Sequence, residues 1–450
     1  MRRHVLKGGI SLLLILLFIS VATVSAAQTT GTKNALMVTG GILYVGGSGP
    51  GNYTKIQDAI DNALEGDTVF VYDDSSPYSE HVLVEKTIHL VGENKETTVV
   101  DGKISLTVLT IKADGVTLSG FTIQHSGVLW INSGIEIRSS YNTISGNIIS
   151  QNFNGITIFP SFNHNNITGN TIASNNGSGI YLYDSQYNVF MDNTISDCDT
   201  GGIVLELSEY NNVSTNVFFN DGIVILGYYQ NTVMNNIVNG KPLVFLVDKS
   251  DMNIDEAGQV VLFNCHNITI QNCNLSNTSI GIYIGYSDDC CISRNSISTC
   301  RYGIIFTHSN RNNISLNNIV NNYFGISFNI CDFNVIMDNT ISFNKYWGIA
   351  LDYSQNNTIS TNDIKNNGGL RRIQRGYGVR LINSSYTKVS HNNFVLNAFN
   401  LYPISSPFCA YNENYWNRPR ILPKLILGVK PWVQFDWHPA QKPYDITGMT

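Results

Sequence analysis

Phe159, Tyr181 and Tyr183 stand among the carboxylates Glu136, Asp184 and Glu206 and the guanidinium of Arg138. Aromatic rings pack against the C–H faces of sugars, while carboxylates and guanidinium groups bond hydroxyls. If one surface gathers these seven side chains, it should hold carbohydrate; scattered, they are ordinary strand residues shielding backbone. A second group, Arg371, Arg372 and Arg375 with Arg380 nearby, lies in "GGLRRIQRGYGV". Arginine clusters grip carboxylate or sulfate bidentately, so an acidic polysaccharide is one ligand for them and plain solvation the other reading. Catalysis would need paired carboxylates. Candidates are Asp184, Asp192, Asp197, Asp199, Glu206 and Glu209, with Asp288 and Asp289 further on.

What could bring such residues together is an internal repeat. A Gly-Ile pair, once Gly-Val, recurs at positions 134, 155, 179, 202, 222, 281, 303, 325, 348 and 378. Most intervals are 20 to 24 residues; one is 59 and the last is 30. Each pair opens a run of period two, as in "GITI", "GIYL" and "GIVL", and a phrase Asn-x-apolar-x-x-Asn-x-apolar follows, as in "NVFMDNTI" from Asn188. Period two means half-buried strands, and a repeat this short fits one coil of a parallel β-helix. Stacking coils about 4.8 Å apart puts the Ile positions in apolar columns and the Asn positions in ladders of amides. The crossover rule makes the coil right-handed. We therefore expect an all-β fold, a right-handed single-stranded parallel β-helix of about 22–23 residues per coil and roughly twelve coils. Register would then bring Glu136/Arg138, Thr157/Phe159, Tyr181/Tyr183 and Val204/Glu206 onto successive outer strands.

The ends break the repeat. Ile56, Ala59, Ile60, Ala63 and Leu64 have helical spacing up to Gly66, predicting a helix that caps the first coil. The tail from 406 to 450, richer in Pro and Trp, should close the other end. At the start, Arg2, Arg3 and Lys7 precede an apolar run from Ile10 to about Val24 and the small residues Ser25-Ala26-Ala27. That layout predicts an export signal over 1–27, cleaved or kept as an anchor. The predicted parts are thus 1–27, a segment with the capping helix over 28–66, the β-helix over 67–405 and the cap over 406–450. No later segment is apolar enough to span a bilayer, so the mature chain should lie outside the cell or in its envelope. A formal charge of −6 argues against nucleic acid as a partner. Asn is the outlier at 56 of 450 residues, spaced as the ladder requires. The Cys fall in ladder slots, no two in one column of neighbouring coils, which predicts mostly free, buried thiols, a vicinal Cys290–Cys291 bridge being the alternative.

The phrases "EGDTVFVY", "LVGENKETTVVDG", "VTLSGFTI", "VNGKPLVFL" and the Gly-Ile/Asn coils resemble the NosD-like β-helix family, also described as carbohydrate-binding and sugar-hydrolysis repeats. The resemblance covers about residues 40 to 420, and exported archaeal proteins often carry the family. It implies this fold and, from the protein behind the family name, a link to copper-site maturation of nitrous oxide reductase. Copper would need converging Cys, Met or His. Met191 and Met234 are two coils apart, and Cys265 and His266 point to opposite strand faces, so we expect no metal site and no cofactor. Pectin hydrolases of this fold show Asn-Thr-Asp, Asp-Asp, Gly-His-Gly and Arg-x-Lys; here Asp288-Asp289 stands alone, and the Asp-Pro-His-Asp of alginate epimerases is missing. The expected function is an exported, non-catalytic β-helix that binds polysaccharide or another glycan, or builds the cell surface. The alternatives are a lyase, hydrolase or epimerase using the same face, and an accessory protein for copper-site maturation.

Overall fold

A computed structural model describes residues 40–227, 229–369, 376–426, 428 and 433–446. The expected export signal at 1–27 and Arg371, Arg372 and Arg375 lie outside the described residues. The chain coils as a right-handed parallel β-solenoid of about 17 turns with one short helix, Ile56–Asn62. Its Ile56, Ala59 and Ile60 are buried against the first coils. The expected roughly twelve coils were too few. The recurring Gly-Ile pair marks only ten, because most irregular coils at the ends and those inside the 59-residue gap lack it at that place in the coil.

Parallel register is regular within each half. Ile144, Ile167, Phe190 and Val213 stack as one column, and Ile156, Ile180, Ile203 and Ile223 as another, all buried. The Asn ladders stack beside them: Asn147, Asn170, Asn193, Asn216 and Asn236 each take the backbone N–H of the coil before on the side-chain oxygen. Their amide groups reach back to carbonyls, as Asn193 Nδ2 does to Ile167 O at 2.9 Å. At the Gly of each pair, strands approach too closely for a side chain. A Cβ on Gly179 would sit 2.5 Å from the Gly202 oxygen and 2.9 Å from Ile195 Cγ2. Gly179→Ala is therefore expected to cost about 1–3 kcal/mol through overpacking, read as a lowered urea midpoint.

The two halves are separate solenoids that share a sheet. One sheet of 15 strands runs through both, and at its middle Ile237–Val238 pairs antiparallel with Lys241–Val247 across the Asn239-Gly240 turn. Strand direction reverses there, and the core changes sides. Leu243, Val261 and Phe263 join the first core, with Phe245, Val247 and Tyr283 packed on it, while Val260, Leu262, Ile282 and Ile284 belong to the second. Reversing the strands and moving the core across the sheet together preserve the hand of coiling. The outer face of the second solenoid's first strands thereby covers the open end of the first. Gln259 completes the seal: its Nε2 donates to Ile223 O at 2.8 Å, and its Oε1 accepts from Ile223 N at 2.9 Å. An open solenoid end would otherwise leave such strand groups unpaired.

Candidate functional site

Glu136, Thr157, Tyr181 and Val204 pair in register along the outer face of the first solenoid, and Tyr183 is level with Glu206. Since Ile137, Ile158 and Leu182 also pair, Arg138, Phe159 and Tyr183 follow them in the next column. Contacts bear this out. Arg138 Nε is hydrogen-bonded to Glu136 Oε1, and its guanidinium carbon lies 4.4 Å from the Phe159 ring centre. Thr107 Oγ1 donates to the other Glu136 oxygen at 3.2 Å. Tyr181 donates its phenol proton to Glu206 Oε2 at 2.7 Å. Burial, with the Glu206 carboxylate second, pushes that phenol well above its ordinary range, so it remains a donor. Tyr183 is half-buried and enters no ring stack among the described residues. Asp184 sits at the strand's corner with φ +44°, exposed, its backbone N–H bonded to the Glu206 carbonyl oxygen at 3.0 Å.

Beside Glu136 and Arg138 the face deepens into a groove of about 420 Å³, within the ~300–1,000 Å³ of small-ligand sites. Thr107, Thr110, Glu136, Arg138 and Phe159 line it, with His81 on one wall and Leu106 and Ile131 on the rim. Next to the rim, Val128, Leu129 and Trp130 are also exposed. The sequence reading missed these walls, which are the loops that interrupt the coils around 102–107 and 127–132. A signal existed in the solvent-exposed run "VLWI", which no repeat position accounts for.

Glu136 and Glu206 stand too far apart to work as an acid–base pair. Glu136 and Glu206 lie on strands Ser133–Ile137 and Gly201–Glu206, with two strands between them, about 14 Å along the stack. A glycosidase needs about 5–10 Å. Arg311 engages both members of the Asp288/Asp289 pair, bidentately on Asp289, and its guanidinium lowers the Asp289 pKa. Arg380 lies on the second solenoid, bonded to Asp352 at 2.7 Å with its guanidinium 4.4 Å over Trp347, away from the first-solenoid face.

A further feature went unseen in the sequence. In four successive coils of the second solenoid the residue before the Gly is aromatic: Tyr302, Phe324, Trp347 and Tyr377 are in register, followed by Phe399. The motif xGI, read one residue earlier than the Gly-Ile pair, would have found them. Tyr302 stacks on Phe324 at 4.6 Å, Phe324 meets Trp347 at 4.2 Å, and Tyr377 stacks on Tyr402 at 5.1 Å. Their ring faces are largely used on one another, which suits a scaffold better than sugar stacking.

Comparison with known proteins follows from this geometry. The model of the family described as "Periplasmic copper-binding protein (NosD)" matches residues 221–429, and that described as "Right handed beta helix region" matches 107–257. No curated protein matches the chain. Solved structures similar to it include XylC with xylose (8% identity over 85% of this chain and 87% of that one, TM-score 0.34). Others are the A-module of the Azotobacter vinelandii mannuronan C-5 epimerase AlgE4 (12%, 80% and 96%, 0.30) and a PL6 alginate lyase with a trisaccharide (9%, 86% and 88%, 0.34). Nothing about ligand or activity rests on likenesses this distant.

Copper, named in the first description, can be tested against the donors present. Cu(I) prefers thiolates and thioethers. Burial pushes the thiols of Cys273 and Cys290 up to about 11 and those of Cys300 and Cys331 to about 12, so they stay protonated, donating to ladder carbonyls. All eight cysteines are free. Met191 and Met234 are separated by Ser214 in their column. Among the described residues no group of three His, Cys, Asp or Glu could hold a metal ion. These residues do not fit a copper site. Between them the two family models take in both solenoids and the reversal that joins them, and the chain belongs to the NosD-like right-handed β-helix family.

Proposed function

We propose that the protein is an exported β-helix that binds an extended glycan along the outer face of its first solenoid without transforming it. The observation that carries this reading is the groove at Glu136, Arg138 and Phe159, continuous in register with Tyr181, Tyr183 and Glu206. Its mixture of a half-buried aromatic ring, hydroxyls and fixed hydrogen-bonding charges suits a hydroxyl-rich ligand with apolar C–H faces. The axial run of these columns suits a linear chain better than a compact molecule. The signal-like first thirty residues support export. No described helix is long and apolar enough to cross a membrane.

An oligosaccharide array read alongside a turnover assay tests the proposal. Tyr183→Ala removes a half-buried ring that stacks on no other ring among the described residues, and Tyr181→Ala removes the donor to Glu206. Each should weaken oligosaccharide binding about tenfold, the size of one lost stacking or charge-assisted contact. Unchanged binding of every ligand by both variants would sink the reading. Product release by the wild type would favour a lyase, hydrolase or epimerase instead.

A further inference from the structure

We propose that this face selects neutral and amino-sugar glycans and excludes uronate-rich ones, an inference that rests on the carbohydrate reading above. It follows from which charges on the face already have partners. The column that carries Arg138 and Phe159 also carries Lys112, level with Arg138 because Ile111 pairs with Ile137. Both cations are committed. Arg138 holds Glu136 and covers Phe159, and Lys112 Nζ lies 3.1 Å from Glu85. At the other end of the same column stand Glu206 and, at the corner beside it, Asp184. Neither forms an ion pair among the described residues. Among the described residues Glu206 receives one hydrogen bond, from Tyr181 to Oε2, and its other oxygen has no partner.

Among the described residues the face therefore presents the uncompensated carboxylate of Glu206, with the exposed Asp184 at the corner beside it, and no arginine or lysine without a carboxylate partner. His81, across the groove, bonds the Thr107 carbonyl through Nδ1 at 2.9 Å, and even protonated it offsets only one of the two negative charges. A uronate laid along these columns would bring its own carboxylate against Glu206 and Asp184, or against Arg138, whose charge Glu136 already neutralises and beside which that buried carboxylate would repel it. Either route is a like-charge or desolvation cost that a neutral hexose avoids. An amino sugar gains instead, since its ammonium group can meet the open oxygen of Glu206 and the exposed Asp184. Neutral sugars keep the hydroxyl contacts to Thr107, Thr110 and the free Arg138 N–H groups.

Titration calorimetry with the full exported chain at about pH 6, where sugar amines are protonated, decides the matter. The probes are cello- and xylotetraose (neutral), chitosan tetramer (amino) and tetramers of mannuronate and galacturonate (acidic). The expected order is amino tightest, neutral next and acidic at least tenfold weaker than neutral, with the amino preference lost at about 0.5 M salt through screening. Glu206→Gln combined with Asp184→Asn should abolish the amino preference, bringing the amino tetramer to the affinity of the neutral ones in the same variant, whereas Asp255→Asn with Glu256→Gln on the second solenoid should change nothing. Acidic tetramers that bind as tightly as neutral ones, or an amino preference that survives the first double variant, would overturn the class assignment while leaving the glycan reading intact. Failure of every tetramer to bind would overturn both.

Discussion

Asp221→Asn should raise the melting temperature by about 2–5 °C at pH 8 and leave it nearly unchanged at pH 4. Asp221 holds the end of an amide ladder made by Asn152, Asn175 and Cys198, where the first solenoid meets the second. Its Oδ2 accepts from the Cys198 N–H at 2.8 Å, as each ladder Asn does for the coil before it. A ladder Asn also donates: Asn175 Nδ2 reaches the Ile149 carbonyl, 26 residues back, at 3.2 Å. Asp221 has no such donor unless it is protonated, and its Oδ1 is buried without a partner among the described residues. Burial accordingly pushes its pKa from 3.8 up to about 7, against the lowering pull of the Cys198 N–H. The folded chain therefore keeps a proton that the unfolded chain releases between pH 4 and 7. Stability is highest below about pH 4, falls as pH rises to about 7, and levels off above, a total of roughly 4 kcal/mol at most. Asparagine supplies acceptor and donor at every pH. His125, which Asp101 raises, loses its own contribution as pH climbs, so the decisive quantity is the difference between variant and wild type. A difference that stays flat from pH 4 to 8 would refute the protonated ladder end. Asp221→Ala, which removes the acceptor as well, should destabilise throughout.

How the sequence disclosed this fold depends on repetition. Ile144, Ile167 and Ile180 could be assigned to the core because each has a counterpart one coil away, and the same register carried Glu136, Arg138, Phe159, Tyr181, Tyr183 and Glu206 to one face. The junction has no counterpart. It happens once, inside the 59-residue interval, and depends on a tight turn at Asn239-Gly240 and on strands buried on both faces. The unalternated run "PLVFLV" did report contact on both faces, since half-buried Phe245 and Val247 pack on the first core and Val244 and Leu246 on the second. The groove walls were equally unreadable, because loops between coils obey no period. Asp184 illustrates a subtler limit: it follows Tyr183 in sequence, yet its left-handed backbone turns the corner there, so strand alternation ceased to say where it points.

Asn193→Ala should be among the most damaging single changes in the first solenoid, at about 3–5 kcal/mol. The side-chain oxygen of Asn193 receives both the backbone N–H and the Nδ2 of Asn170, at 3.0 and 3.1 Å. Its own Nδ2 donates to Ile167 O at 2.9 Å and to Asn216 Oδ1 at 3.0 Å. All of these groups are buried. Truncation strands the Asn170 N–H outright and removes donors from two acceptors, and each unsatisfied buried group costs about 1–3 kcal/mol. Asn193→Asp separates the two halves of that cost. Ionised, it keeps the acceptor for Asn170 but sets a charge against the Ile167 carbonyl and Asn216 Oδ1; protonated, it has one donor to replace two. Its penalty should therefore be modest near pH 4 and grow steeply toward pH 8, the same trend that the natural Asp221 imposes at the ladder's end, where one coil fewer leans on it. Urea midpoints for the two Asn193 variants at both pH values test the ladder directly. An alanine variant within 1 kcal/mol of wild type, or an aspartate variant indifferent to pH, would mean that water reaches the ladder and the amides carry little of the coil's stability.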